Sequence, residues 1–503
     1  MRLTDEALAD IQGVITSGYR HLPQAAYLFV RMTDLTGARR WLSRISASIT
    51  TSRRWPVERA SANVKPQSAI NVGITAAGLR ACGLPSRVLC TFPSEFQDGI
   101  TSPERSRILG DTGESAPERW EIGGLRSDPV HALLLLFASD ETNLNALCAA
   151  QRAILELCDG VVELRDSMQR GYRPETESEP FGFHDGLAQP RIRGVDGRGV
   201  ATGEFILGYE NHYGLIPPTP VVPRDLDPSE ILPPLSNPYH SMESLADLGK
   251  NGSYLVYRKL QQDVAGFWQF MAREAARGGR TDPTTIIWLA SKCVGRWPSG
   301  APLALAPDRD APDLSERDDF FYSDDPDGLR CPVGAHVRRT NPRDALKPYP
   351  PRQSLSMTDA HRLIRRGRVF GPPLFDPGVL RRASIDARET LPEMRDDGQA
   401  RGVHFFCVNA SLKSQFEFVQ QTWANNPRFG GLNDNMDPLT SSPCDEKTAS
   451  RMTIARRGAP AGAGAGALRT QVLPRFVTVK AGAYLFLPSL TALRFLGRAA
   501  ADT

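Results

Sequence analysis

The chain has 503 residues, of which 41% are hydrophobic and 23% are charged. This composition is typical of a globular chain long enough for two domains, and it excludes a disordered or fibrous protein. The formal net charge is only +3 and the basic residues are spread along the chain. We therefore expect no nucleic acid partner.

The apolar runs are too short to cross a membrane, since VHALLLLFA at 130–138 is far below the roughly 20 residues that a spanning helix needs. The N-terminal stretch MRLTDEALADIQGVI lacks the order of a signal peptide. Cysteines form no CxxC or CxxCH motif, which argues against a zinc ribbon and covalently attached haem. We expect a cytoplasmic location, no membrane association and reduced, mostly buried thiols at Cys82, Cys90, Cys148, Cys158, Cys293, Cys331, Cys407 and Cys444.

Strand and helix patterns alternate in the first half of the chain. Buried strands are predicted at 26–32, 69–74 and 130–138. The first is followed by a helix whose apolar positions repeat every three or four residues from Ala38 to Ile45, and the third by a helix that Asp140 can cap.

The second half repeats this plan. Strands are predicted at 252–258 and 403–408, each followed by an amphipathic helix, and Ser411 can cap the second of these. A Gly/Ala-rich loop at 458–467 precedes a predicted last pair of strands, FVTVK and AYLFLP.

The pattern predicts an α+β fold of two ferredoxin-like domains, each an antiparallel sheet with helices on one face. A proline-rich stretch at 216–238 reads as a connector, so the boundary is placed near it. The predicted N-terminal domain is then 1–240, and the C-terminal domain is 241–503.

One stretch, RCPVGAHVRRTNPRD at 330–344, places a single histidine among arginines. Imidazole can ligate iron or zinc, and guanidinium groups bind carboxylates in bidentate fashion. A cofactor carrying both a metal and carboxylates, such as haem b, would use both. Alone, the stretch is more typical of a charged surface loop.

Two further stretches could carry chemistry. In FGFHDGLAQP at 181–190, Gly182 and Gly186 let the backbone turn tightly and bring the Asp185 carboxylate close to a bound group. The neighbouring His184 is expected to be structural or to support a residue of the site. LIRRGRVFG at 363–371 predicts a strand that ends in arginines. Each alone is more typical of an Asp-Gly turn or a solvated strand end.

Together, in this order and with GVHFFCVNASLKSQFEFVQQTW at 402–423, these stretches resemble the dye-decolorizing peroxidase family. The supporting stretches GEFILGY (203–209), NGSYLVYRKLQQDV (251–264) and VGRWPSGAPL (294–303) extend the resemblance over most of 180–430. The N-terminal third is less similar in its motifs.

The resemblance implies a peroxidase that reduces hydrogen peroxide and oxidises dyes, phenols or similar small-molecule donors, with haem bound between the sheet and helices of the C-terminal half. It puts the proximal iron ligand on His336, the distal acid and base on Asp185 and the distal arginine on Arg365. Non-covalent contacts to haem b fall on Gly186, Leu187, Ala188, Asn341, Pro342, Arg343 and Arg365, with Arg343 near the propionates. The oligomeric state is left open.

The chemistry fits these residue types. Haem with one protein ligand leaves a position for peroxide, whose cleavage needs a proton carrier and a fixed positive charge. Because an ordinary aspartate titrates near pH 4, we expect the best activity in mildly acidic solution.

Several points stay open. The 29 positions from His336 to Arg365 form a long spacer, so Arg366 is an alternative distal arginine. Glu417 could accept the second ring proton of His336 or face solvent. An alternative function is haem handling, for transport or dechelatase-like iron release, with peroxidation as a side activity. A scaffold without cofactor is disfavoured by the intact set of residues, and the chain has no HExxH or GxSxG motif for hydrolysis.

Overall fold

Strands and helices alternate along the chain in the computed structural model, which describes residues 2–53, 65–235, 244–441, 450–455 and 467–498. The strands are β1 (Gln24–Met32), β2 (Ser68–Ile74), β3 (Ala132–Ala138), β4 (Val161–Glu163), β5 (Gln169–Tyr172), β6 (Val221–Pro223), β7 (Leu245–Asp247), β8 (Ser253–Gln262), β9 (Ile364–Arg365), β10 (Arg368–Phe370), β11 (Gly402–Asn409), β12 (Thr453–Ile454), β13 (Leu468–Arg469) and β14 (Val477–Leu487).

The helices are α1 (Asp5–Asp10), α2 (Gly13–Thr16), α3 (Leu35–Ser46), α4 (Ala76–Ala81), α5 (Ser86–Leu89), α6 (Ser94–Asp98), α7 (Pro103–Leu109), α8 (Glu141–Glu156), α9 (Val264–Arg277), α10 (Pro283–Val294), α11 (His336–Thr340), α12 (Pro351–Asp359), α13 (Pro377–Ala383) and α14 (Leu490–Gly497). A helix with π-type hydrogen bonding covers Leu412–Glu417 and Val419–Ala424 and is called the π-helix below.

Antiparallel strands from both halves form one sheet that closes on itself. The order is β5-β1-β3-β2 from the first half, then β14-β8-β11-β10 from the second, and β10 also pairs with β5. The halves meet where Phe486 of β14 pairs with Ile74 of β2, and where Val369 of β10 pairs with Tyr172 of β5. The predicted α+β class, with antiparallel sheets and helices in each half, is confirmed.

The strands read as nearly continuous apolar runs because both of their faces are buried. Successive side chains alternate between two cores. Tyr27 and Phe29 of β1 point into the closed sheet, while Leu28 and Val30 face the helices outside. The second half contributes to the inner core in the same way, through Leu255, Tyr257, Phe406, Val408 and Leu485.

Helix caps follow the sequence. Asp34 accepts a hydrogen bond from the backbone N–H of Gly37 at the start of α3, and Asp140 accepts one from Asn143 at the start of α8. Ser411 caps the π-helix as predicted, through the N–H of Ser414 at 3.1 Å. Within the described residues, no helix combines the length and apolar character that a membrane span requires.

The predicted pair of strands at the C-terminal end is wrong. FVTVK and AYLFLP belong to one strand, β14, whose pairing with β8 shifts between Val479 and Ala481. Gly482, which could have marked a turn, instead lets the strand approach Trp120, whose ring lies 2.6 Å from where a Cβ would stand. The glycine therefore serves a close approach and not a turn.

Cysteines are free in the described part of the chain. Cys90 is exposed, whereas the others are buried, namely Cys82, Cys148, Cys158, Cys293, Cys331 and Cys407. Cys444, residues 458–466 of the Gly/Ala-rich loop and the proposed domain boundary at 240 lie outside the described residues. The division into domains 1–240 and 241–503 therefore stays a prediction.

Candidate active site

A cavity of about 500 Å³ lies between the outward face of strands β8, β11 and β14 and the π-helix with α11. This volume is within the range of pockets that hold small molecules and cofactors. All three chemistry-bearing stretches of the sequence reach this cavity. The candidate residues in its lining are Asp185, Gly186, Leu187, Ala188, His336, Asn341 and Arg365.

His336 is the first residue of α11, and its Nδ1 lies 2.9 Å from Oδ2 of Asp437. The other oxygen of this buried carboxylate accepts the backbone N–H groups of Leu439 and Thr440, both at 2.9 Å. Burial raises the pKa of Asp437, but the neighbouring His336, the Thr440 N–H and Arg339 outweigh it and hold the pKa at about 2. An ionised carboxylate fixes the proton of His336 on Nδ1, so Nε2 is the nitrogen free to bind a metal.

The prediction that Glu417 would be the partner of His336 is wrong, and so is its solvent-facing alternative. Glu417 is buried, where it accepts hydrogen bonds from Arg105 Nη1 at 2.8 Å and Tyr484 Oη at 2.9 Å. Asp437 precedes a proline and caps a turn, a pattern visible in the sequence. Nothing in that pattern indicates a partner 101 residues away.

Asp185 and Arg365 form a loose pair in the same cavity. Arg365 Nη1 lies 3.9 Å from Oδ1 of Asp185, and both side chains are partly exposed to the cavity. Arg365 Nη2 donates to the carbonyl of Leu187 at 2.5 Å, and its backbone N–H donates to Oε1 of Gln189 at 2.9 Å. The arginine is thus held in place while one nitrogen remains directed at the carboxylate.

Arg366 is engaged elsewhere, although it also reaches the cavity wall. Its Nε donates to the carbonyl of Val14 at 2.7 Å and its Nη2 to that of Ile15 at 2.9 Å, both in α2. Burial lowers the pKa of Arg366 to about 10. β9 ends at Arg365, whose side chain lies beside Asp185, whereas the side chain of Arg366 reaches α2 instead.

The long spacer before Arg365 is accounted for by α12. This helix packs back on the NPR element, where the hydroxyls of Ser354 and Thr358 donate to the carbonyl of Arg343 at 2.9 and 2.8 Å. The spacer therefore folds back on the element that precedes it, and β9 still places Arg365 beside Asp185.

Pro342 and Arg343 are not among the residues that line the cavity, and their contacts with a cofactor stay a prediction. The Arg343 guanidinium donates to the carbonyls of Asp318 and Phe320, pairs with the Asp318 carboxylate and lies over the Phe320 ring at 4.1 Å. The cations that do line the cavity near α11 are Arg296 and Arg362, which sequence reasoning missed. Arg296 lies in the supporting stretch VGRWPSGAPL, and Arg362 directly precedes LIRRGRVFG.

His184 has the expected structural environment. Its Nδ1 lies 3.1 Å from the carbonyl of Ser299, and its Nε2 lies 3.2 Å from Glu177. These two residues and Glu316 each bring one potential metal ligand within 4.8 Å of the others. However, Arg20 and Arg173 already pair with the Glu177 carboxylate. Because these cations neutralise Glu177, the cluster is a poor metal site.

Glu179 stabilises the turn that leads to Asp185 through hydrogen bonds of its carboxylate. Its carboxylate accepts the backbone N–H groups of Phe181 and Phe183, both at 3.0 Å, and the amide of Gln262 at 2.7 Å. Burial, with a smaller contribution from the charge of Asp185, raises the pKa of Glu179 to about 7. This carboxyl group therefore takes up a proton near neutral pH.

Glu179 makes stability depend on pH. Because its pKa is higher in the folded than in the unfolded chain, its stabilising contribution is complete below pH 4.5 and is lost as the pH rises through about 7. Glu179→Gln should therefore show a smaller fall in its urea midpoint between pH 5 and pH 8 than the unsubstituted protein. The exposed neighbour Glu175, changed to Gln, is the control. An identical pH dependence in all three proteins would contradict the assignment.

The chain is similar to known peroxidases over nearly its whole length. Peroxidase 2 of Mycetinis scorodonius is 28% identical over 516 residues, covering 97% of this chain and 87% of the relative. Multifunctional dye peroxidase DyP2 of Amycolatopsis sp. is 26% identical and covers 93% of this chain and 91% of the relative. No protein-family model matches the chain.

Solved structures of peroxidases are also similar to this chain over nearly its whole length. An ancestral D-type dye decolorizing peroxidase superposes with a TM-score of 0.74 at 25% identity, covering 98% of this chain and 99% of the other. A peroxidase from Anabaena sp. shares the fold with a TM-score of 0.73 at 21% identity, over 98% and 95% of the two chains. The fold and the full-length relatives define a haem peroxidase. Within that class, the chain is similar in sequence and fold to dye-decolorizing peroxidases over nearly its whole length.

Proposed function

We propose that the protein binds haem b through His336 and reduces hydrogen peroxide with the help of Asp185 and Arg365. The electrons come from dyes, phenols or similar one-electron donors. The observation that carries this proposal is a single cavity lined by His336, which is paired with Asp437, and by the Asp185–Arg365 pair. His336 supplies a metal ligand. Asp185 supplies a proton carrier, and Arg365 beside it supplies a positive charge.

The cavity wall fits a cofactor with an iron and carboxylates. The Nε2 of His336 makes no bond within the described residues, which leaves it available to a metal. Nη2 of Arg296 and Oδ1 of Asn341 are buried in the lining without a hydrogen-bond partner among those residues, and Asp318 lies 3.6 Å from Arg296. Buried polar atoms of this kind are costly unless a ligand or water satisfies them.

Haem supplies redox chemistry that side chains lack, giving two electrons to peroxide and recovering them singly from donors. The residues move protons and stabilise charge. Asp185 takes a proton from one oxygen of hydrogen peroxide and returns it to the other as the O–O bond breaks. Arg365, held by Leu187 and Gln189, stabilises the negative charge on the leaving oxygen. A haem carrier has no need of such a pair, so its presence favours the peroxidase over a haem-handling protein.

The test is an absorption spectrum of the haem-loaded protein before and after one equivalent of hydrogen peroxide. We expect the Soret band to shift and to recover when a phenol or a dye is added. An unchanged Soret band would contradict the peroxidase and would favour haem handling.

Asp437→Asn tests the histidine partner. The amide can still accept the Nδ1 proton of His336 but carries no charge, so the imidazole becomes a weaker ligand. Changing such a partner typically costs about 10–100-fold in metal affinity or activity, and we expect haem to leave the variant faster by this factor. The measurement is the rate of haem transfer to an excess of a haem-scavenging protein. Asp434→Asn is the control, since Asp434 pairs with Arg469 outside the cavity lining. Equal rates in all three proteins would remove Asp437 from this role.

A further inference from the structure

A second cavity, of about 950 Å³, adjoins the haem cavity at β9. Gln189 and Arg366 line both cavities, which makes them neighbours. The second cavity is strongly basic, because the charged groups among its described lining residues are four arginines and one carboxylate, namely Arg2, Arg191, Arg193, Arg366 and Asp196.

The carboxylate is held by the backbone of its own turn. Oδ2 of Asp196 accepts the backbone N–H of Ile192 at 3.0 Å, which closes the turn that follows the FGFHDGLAQP stretch. The same turn is held by two backbone hydrogen bonds, from the N–H of Arg193 to the carbonyl of Val200 and from the N–H of Val200 to the carbonyl of Arg191, both at 2.9 Å. In the described part of the chain, the guanidinium groups of Arg191 and Arg193 have no hydrogen-bond acceptor and no carboxylate within 4.0 Å. Their backbone is therefore fixed while their charged ends are available.

Part of the cavity lining is apolar, through the partly exposed side chains of Pro190 and Val195. Guanidinium groups bind carboxylates in bidentate geometry and stack on flat rings. An apolar lining beside unpaired guanidinium groups is thus complementary to a small molecule that carries both a ring and a carboxylate. A cavity of this volume is more suited to a small molecule than to a flat macromolecular interface.

We propose that this second cavity binds aromatic carboxylates, with Arg191 and Arg193 receiving the carboxylate and with Pro190 and Val195 receiving the ring. The bound acid lies next to Gln189, whose Oε1 accepts the backbone N–H of Arg365. The proposal concerns binding alone and does not depend on turnover at the haem.

The test is titration calorimetry of the haem-loaded protein with naphthalene-2-carboxylate, and with the neutral naphthalene-2-carboxamide as the matched ligand. The double variant Arg191→Gln with Arg193→Gln removes the charges at exposed positions. Arg198→Gln is the control, because Arg198 is exposed on the same turn but does not line the cavity. Hydrogen bonds to charged groups contribute enough that we expect the double variant to bind roughly tenfold more weakly or worse.

The expected result is a binding event for the carboxylate that the control variant retains, that the double variant loses and that the amide does not produce. Unchanged binding by the double variant would overturn the proposal, since it would place the ligand elsewhere, including in the haem cavity. Equal affinity for the amide would overturn it as well.

Discussion

His336→Ala is expected to leave the protein without a Soret band when it is mixed with stoichiometric haem. The reason is that His336 is the residue of the cavity lining whose metal-binding nitrogen is directed by an ionised partner, Asp437. Loss of the imidazole removes the proposed iron ligand and leaves the Asp437 carboxylate without the ring nitrogen to which it bonds. The measurement is haem titration followed by absorption, with circular dichroism to check the fold.

Two comparisons sharpen this experiment. His212→Ala is the control, because His212 bonds to Ser356 and is absent from the cavity lining. Added imidazole should restore a Soret band in His336→Ala, since a small molecule can occupy the space of the lost ring. Full haem occupancy in the variant without imidazole would show that the iron ligand is another residue.

Asp185→Asn is expected to slow the reaction with hydrogen peroxide by about 10²–10⁴-fold, the usual contribution of a positioned proton carrier. An asparagine has a similar shape but cannot take up the proton. Haem binding should be retained, because Asp185 forms its ion pair with Arg365 and not with His336. The measurement is the second-order rate constant of the Soret change after rapid mixing with peroxide.

The exposed Asp166, changed to Asn, provides the matched control for this rate. Arg365→Leu should also react slowly, by about 10²–10³-fold, because the charge on the leaving oxygen loses its donor. An Asp185→Asn variant that reacts at the original rate would rule out this carboxylate as the proton carrier. The same result for Arg365→Leu, with Arg366→Leu slow instead, would exchange the roles of the two arginines.

Local features of the fold could be predicted from the sequence because they depend on neighbouring residues. The caps at Asp140 and Ser411 and the buried run of β3 depend on such local features. The motifs likewise indicated which residues reach the cavity, since turns and strand ends position them. The choice between Arg365 and Arg366 required the pairing of β9 with β11, which the local sequence does not specify.

Partners distant in sequence could not be predicted. Asp437 approaches His336 only because the turn after the π-helix packs against α11. Arg343 is held by Asp318, an acid in a stretch that reads simply as a loop. The sequence also did not predict that β14 is continuous. A glycine such as Gly482 is typical both of a turn and of a strand that closely approaches another residue, here Trp120.

The inner core of the closed sheet limits how the polypeptide can be dissected. Tyr27 and Phe29 from the first half contact the same core as Tyr257 and Phe406 from the second. A fragment that ends near residue 240 would expose this apolar face and the edges of its outer strands, and such surfaces promote aggregation. The two fragments should therefore be insoluble when expressed separately and should recover haem binding when they are expressed together.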